Sequence, residues 1–154
     1  MAEGNVVTTN RKARHDYHIE DTVEAGMVLS GSEVKSIRMG RVNLQDAYCS
    51  VEGGEMILHN CHISPYKHGS LYDLQEPARD RKLLMHRREI AQFRKATEQK
   101  GYTIVPLKIY FRNGYAKVEI GLARGKKLYD KRADIAEQET KRRLDRVMRG
   151  ERPQ

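Results

Sequence analysis

Tyr17, Ile19, Val23, Ala25, Met27 and Leu29 recur on one parity through an otherwise polar segment. That two-residue period predicts a half-buried strand. Ser30 and Glu33 follow at capping-box spacing and open a short helix with Val34 and Ile37 as its apolar face, which Gly40 ends. Leu44 to Val51 and Met56 to Ile63 flank Gly53-Gly54, a pair suited to the positive φ angles of a tight hairpin turn. From Ser64 to Ala78, Pro65, Gly69 and Pro77 predict a loop. Asp80 then caps a second helix with Leu83, Ile90 and Phe93 on one side, closed by Gly101.

A second hairpin has the stronger signal. Leu107, Ile109 and Phe111 alternate with Lys108, Tyr110 and Arg112, Asn113-Gly114 turns the chain, and Ala116, Val118, Ile120 and Leu122 alternate on the return. Several short strands joined by turns, with helices in two places, predict a mainly β protein. A small closed or partly closed barrel fits best, and the oligonucleotide-binding fold is one such architecture. After Arg124 the pattern fails: Leu144, Val147 and Met148 share a helical face, but 137–143 contains no apolar residue. The stripe is too short to dock on a core. Residues 124–154 are therefore expected to be disordered when free and helical only on a partner.

Charge divides the chain the same way. Net charge is +8 over 154 residues. From Arg124 to Arg152, eleven Lys and Arg stand against six Asp and Glu, and residues 1–14 carry three against one. The intervening 109 residues are almost balanced, with 15 against 14. A near-neutral body between basic arms suits a globular domain that grasps a polyanion. The expected organisation is a flexible arm at 1–9, a barrel at 10–123 and a basic tail at 124–154. No apolar run reaches membrane-spanning length, Met1 to Asn10 has no hydrophobic segment, and Cys49 and Cys61 suggest no disulfide framework. The expectation is a cytoplasmic protein that does not engage a membrane.

Catalytic chemistry finds little support. No nucleophile elbow or dinucleotide loop occurs, and Gly125-Lys126-Lys127 lacks the spaced glycine and the Ser or Thr of a phosphate loop. His59, Cys61 and His62, with Cys49, are the candidate metal ligands. In a strand His62 faces away from the other two, so convergence on one ion needs a bulge. Neither an enzyme, a metal site nor a cofactor is expected. RNA fits the residue types better: Lys108, Arg112 and Lys117 point outward on the last hairpin, and Arg79, Arg81, Lys82, Arg87 and Arg88 surround the second helix.

Particular blocks carry a more specific signal. Asn10 to Tyr17, Glu24 to Met27, Gly31 to Arg38, Arg79 to Leu84, Gly125 to Lys127 and Asp130 to Arg132 stand in the order found in the SsrA-binding protein (small protein B) family. The chain resembles that family over about residues 10–145. The resemblance implies an oligonucleotide-binding barrel with flanking helices and no catalysis. It implies binding to the tRNA-like domain of transfer-messenger RNA, and delivery of that RNA to stalled bacterial ribosomes in trans-translation. Further implied partners are the decoding centre and messenger channel of the ribosome and, indirectly, elongation factor Tu carrying the aminoacylated RNA.

By matching positions, Asn10, Glu24 and Leu84 resemble the residues of the RNA contact, with Arg11, Lys12 and Lys82 beside them. Glu24 is an odd choice near phosphates unless it accepts from base amino groups or orients an arginine. Leu84 sits beside Leu83 in the expected helix, about 100° around it, so one of the two is free to stack on a base. Lys126, Lys127, Tyr129, Asp130, Lys131 and Arg132 match the base of the tail that enters the vacant messenger channel, Tyr129 standing where many members carry His.

Overall fold

Two turns set the register of the sheet. Gly53 and Gly54 have φ of 58° and 79°, and Asn113 and Gly114 have 53° and 81°. Positive φ at both central residues is the turn that matches the twist of paired strands. The computed structural model describes residues 6–65 and 76–126. They form β1 (Val6–Thr9), α1 (Arg11–Asp16), β2 (Tyr17–Met27), α2 (Gly31–Arg38), β3 (Val42–Asn43) and β4 (Tyr48–Glu52). There follow β5 (Glu55–His59), β6 (His62–Ile63), β7 (Arg81–Leu84), α3 (Arg87–Thr97), β8 (Tyr102–Arg112) and β9 (Tyr115–Gly125).

The strands close into a ring in the order β8-β4-β5-β7-β2-β9, and β9 pairs back onto β8. β1 adds to β8 through Thr9 and Lys108, beyond the point where β4 pairs with Ile104. Closure removes the exposed sheet edges that invite aggregation. The expected small β-barrel is therefore the fold. Its interior holds Ala25, Met56, Leu58, Leu83, Ile109 and Ile120, joined by Ile37 of α2 and by Ile90 and Phe93 of α3. Among the described residues no helix is long and apolar enough to cross a membrane.

The helix expected after Asp80 begins only at Arg87, where the His86 N–H donates to Glu89 Oε1 at 3.2 Å. Arg81 to Leu84 instead form β7, paired with β5 (Met56 with Leu83) and with β2 (Gly26 with Leu84). Four residues with both ladders filled lie in the middle of a sheet, and the two-residue period replaces the helical one. Leu107 does not share a face with Ile109 and Phe111. A bulge between Pro106 and Lys108 turns it to the opposite side. There Leu107, Val105 and Ala123 form a second small core with Ala13 of α1, and Ile19 and Tyr17 pack on it. A Cβ on Gly121 would stand 2.9 Å from Ile19 Cγ2 and 3.0 Å from Leu107 Cδ1, so this core requires glycine.

The barrel is also longer than the expected 10–123. Val6 to Thr9 belong to a paired strand rather than to a flexible arm, and β9 continues through Gly125. Residues 127–154, the greater part of the expected tail, lie outside the described residues.

The capping box of α2 forms as expected, with the Glu33 N–H donating to Ser30 Oγ at 3.2 Å and the Ser30 N–H to Glu33 Oε1 at 3.0 Å. Its buried face is nonetheless polar: Ser32, Glu33 and Ser36 accompany Ile37. Glu33 meets two arginines there. Arg81 Nη2 and Arg79 Nη2 donate to its two oxygens, each at 2.6 Å, and Arg81 also donates to the carbonyls of Cys61 and Pro77. Burial opposes ionisation of Glu33, but the hydrogen bonds from Arg79, the Ser30 N–H and Arg81 outweigh it and hold the carboxyl below its ordinary range. Arg81, expected on an RNA-facing surface, is 1% exposed and locks β7 to α2.

Candidate nucleic-acid interface

β7, β2, β9 and β8 are neighbours around the barrel, and alternate residues of a strand share a face. Register then fixes which side chains meet. Gly26 stands opposite Leu84 on one side and Lys117 on the other, Glu24 opposite Glu119, and Glu119 opposite Lys108. Tyr110 stands opposite Lys117, and Arg112 opposite Tyr115. The outer surface of these four strands therefore carries Leu84, Glu24, Lys117, Tyr115 and Arg112 together. A Cβ on Gly26 would lie 3.4 Å from Leu84 Cβ and 3.8 Å from Lys117 Nζ. An apolar side chain and an ammonium thus lean over the same glycine from its two neighbouring strands.

Glu24 is fixed within this surface. Its Oε1 accepts from the Tyr110 hydroxyl at 2.5 Å and from Arg112 Nη1 at 3.1 Å. The Tyr110 hydrogen bond lowers the pKa of the carboxyl most. Partial burial opposes it, and the bond and charge of Arg112 and the charge of Lys117 add to the lowering. Oε2 has no partner among the described residues. The carboxylate stays ionised, aims Arg112, and keeps one acceptor open for a donor from outside. Of the two roles expected for Glu24, the structure shows the hydrogen bond to an arginine.

Leu84 is 55% exposed while its neighbour Leu83 is 1% exposed, so the apolar surface belongs to Leu84 and strand alternation produces it. Lys82, also outward on β7, ion-pairs with Glu55 at 3.5 Å. Asn10 is placed differently. Buried at the start of α1, it accepts from the Ala13 N–H at 3.1 Å and donates to the carbonyls of Leu44 and Pro106 at 3.0 and 2.9 Å. With each of its polar atoms bonded inside the protein, Asn10 clamps α1 onto the barrel. Arg14 of that helix reaches Glu119 at 3.6 Å, and Lys126 donates to the Arg14 carbonyl at 3.3 Å. Arg11 and Lys12 are exposed, and Lys12 pairs with Asp46 between β3 and β4. Lys127, Tyr129, Asp130, Lys131 and Arg132 lie outside the described residues.

Sequence reasoning missed Tyr110 and Tyr115. Tyr115 is 71% exposed beside the Asn-Gly turn, and its parity with Lys117 is the signal that could have found it. The candidate metal ligands do not converge. His59 Nδ1 meets Asp80 Oδ1 at 2.8 Å and its Nε2 meets Glu52 Oε2 at 2.9 Å, whereas Cys49 and Cys61 are buried in the core. Burial raises the Cys61 thiol to about 11 and raises Cys49 further, so neither is poised as a thiolate ligand. Among the described residues no group of His, Cys, Asp and Glu is arranged to hold a metal ion.

A family model described as SmpB protein matches residues 7–150. An "SsrA-binding protein" of Geobacillus thermodenitrificans is 57% identical over 147 residues, 96% of this chain and 94% of its own length. Another of that name, from Roseiflexus castenholzii, is 57% identical over 153 residues, 97% of each chain. A solved structure described as "tmRNA-SmpB: a journey to the center of the bacterial ribosome" contains a chain 52% identical to this one. It superimposes with a TM-score of 0.66, covering 79% of this chain and 84% of the other.

Proposed function

The chain belongs to the SmpB protein family, and from that premise we propose that it is a non-catalytic adaptor binding transfer-messenger RNA for the rescue of stalled ribosomes. The observation that carries this reading is the single surface uniting Glu24, Leu84, Lys117, Tyr115 and Arg112. Lys117 and Arg112 neutralise phosphates, Leu84 and Tyr115 offer flat surfaces to unpaired bases, and Glu24 Oε2 accepts from a base amino group. An RNA with splayed loop bases, such as the tRNA-like domain, fits that set better than a regular duplex. Asn10 acts through α1, whose Arg14 extends the charged surface, while Arg11, Lys12 and Lys82 add phosphate contacts around it.

The remaining parts follow the same reading. The RNA-bound adaptor enters the ribosome, with elongation factor Tu on the aminoacylated end. The chain beyond Lys126, with Lys127, Tyr129, Asp130, Lys131 and Arg132 at its base, becomes helical in the vacant messenger channel near the decoding centre. Ordering conditional on an empty channel makes the rescue specific to stalled ribosomes. The test is recovery of the tagged protein from bacterial cells and sequencing of the bound RNA. Strong enrichment of transfer-messenger RNA over bulk tRNA is expected. Enrichment no greater than for other structured RNAs overturns the proposal.

A further inference from the structure

On the far side of Leu84 from Glu24, the β4–β5 turn, β7 and α3 enclose an open cleft of about 630 Å³. The apolar side chains that reach its floor are Val51, Leu84 and Ala91, Leu83 and Ile90 being almost wholly buried, and Gly53 and Gly54 line it without side chains. Arg87, Ile90, Ala91 and Arg94 are spaced i, i+3, i+4 and i+7 along α3, so they share one face of that helix. The two arginines bracket the apolar strip about 10 Å apart along the axis. Neither guanidinium has a hydrogen bond or ion pair among the described residues. The acid at the rim, Glu55, is already paired with Lys82 at 3.5 Å.

We infer that this cleft is a nucleotide subsite, seating one unpaired RNA base on the floor with its flanking phosphates on Arg87 and Arg94. Three observations select this occupant. The cleft has at both ends arginines that are unpaired among the described residues, and apolar surface between them, which matches the alternation of phosphate and base along a single strand. A glycine wall admits a flat ring edge-on where a side chain would obstruct it. The cleft also shares Leu84 and Lys82 with the candidate interface, so one RNA strand crossing the Leu84 ridge reaches both. Only the identity of that RNA rests on the function proposed above.

The test is an amide NMR titration of the full chain with single-stranded tetraadenylate at low salt. Saturable shifts at Gly53, Gly54, Leu84 and Ala91 are expected. The double variant Arg87→Gln/Arg94→Gln should bind the tetramer at least ten-fold more weakly. Its slope of log affinity against log salt should fall by about 1.4, for two lost contacts to a single strand. Ala91→Glu, an exposed helix position taking a good helix former, places a carboxylate in the cleft and should abolish the shifts while the fold persists. An abasic tetramer of equal charge should bind at least five-fold more weakly than tetraadenylate. Absence of shifts at these amides, wild-type affinity in the double variant, or equal binding of the abasic tetramer or of oligoglutamate would overturn the subsite. Binding of the tRNA-like domain is measured in parallel. Its loss with the tetramer site intact counts against the proposed function and leaves the cleft standing.

Discussion

Glu33→Gln tests whether the buried ion network holds β7, and with it Leu84, in place. The substitution keeps the shape of the side chain and removes its charge. Arg81, with a fully buried side chain, would then keep its carbonyl partners but lose its countercharge. If only hydrogen bonds counted, the loss would be about 1–3 kcal/mol. An uncompensated buried charge costs about 3–5 kcal/mol, and because Glu33 is 4% exposed little solvent screening reduces that figure. Against a total stability on the order of 5–15 kcal/mol, the change should move the urea midpoint far. The pH dependence gives a second reading. The folded-state pKa of Glu33 lies below its ordinary value of 4.5, so its stabilisation is complete above that pH and is lost as pH falls through the lowered value. Wild type should therefore lose stability below about pH 4.5, and the variant should lose less. A cost under about 1 kcal/mol at pH 7, with an unchanged acid limb, would refute the assignment.

Three further outcomes are expected. Leu84→Ala should weaken binding of the tRNA-like domain by about 1–3 kcal/mol and leave the melting temperature nearly unchanged, since the side chain is mostly exposed. Calorimetry on the same sample checks both, and a large drop in melting temperature would mean that Leu84 is core. Gly121→Ala should destabilise by about 1–3 kcal/mol in chemical denaturation, because Ile19 and Leu107 must move aside. Ending the chain after Lys126 should preserve affinity for the tRNA-like domain and abolish peptide tagging on stalled ribosomes in a reconstituted translation assay. Normal tagging would make the tail dispensable.

What could be read in the sequence is local. Gly53-Gly54, Asn113-Gly114 and the Ser30–Glu33 box act within four residues, and each forms as the chain alone dictates. What escaped depends on distant partners. Arg81 to Leu84 suit a helix or a strand equally, and only pairing with Met56 on β5 and Gly26 on β2 decides between them. Glu33 meets Arg81 across 48 residues, so its burial leaves no trace in local periodicity. The bulge at Leu107 reverses a parity that the alternation made look continuous. At the candidate interface, outward positions such as Lys117 and Arg112 followed from alternation. The Tyr110–Glu24 hydrogen bond, spanning 86 residues, did not.

Whether the surface around Glu24 recognises a particular RNA is read from the affinity of Glu24→Ala. A surface reading charge alone should bind any RNA as well or better once the carboxylate is gone. A surface in which Glu24 accepts from a base and aims Arg112 should lose about 1–3 kcal/mol on its cognate RNA. The measurement is a salt titration of wild type and Glu24→Ala on the tRNA-like domain and on an unrelated hairpin. The predicted result is weakened binding confined to the tRNA-like domain, with a nearly unchanged salt slope. Equal or tighter binding of the variant to both RNAs would mean that the surface reads charge rather than the identity of the RNA.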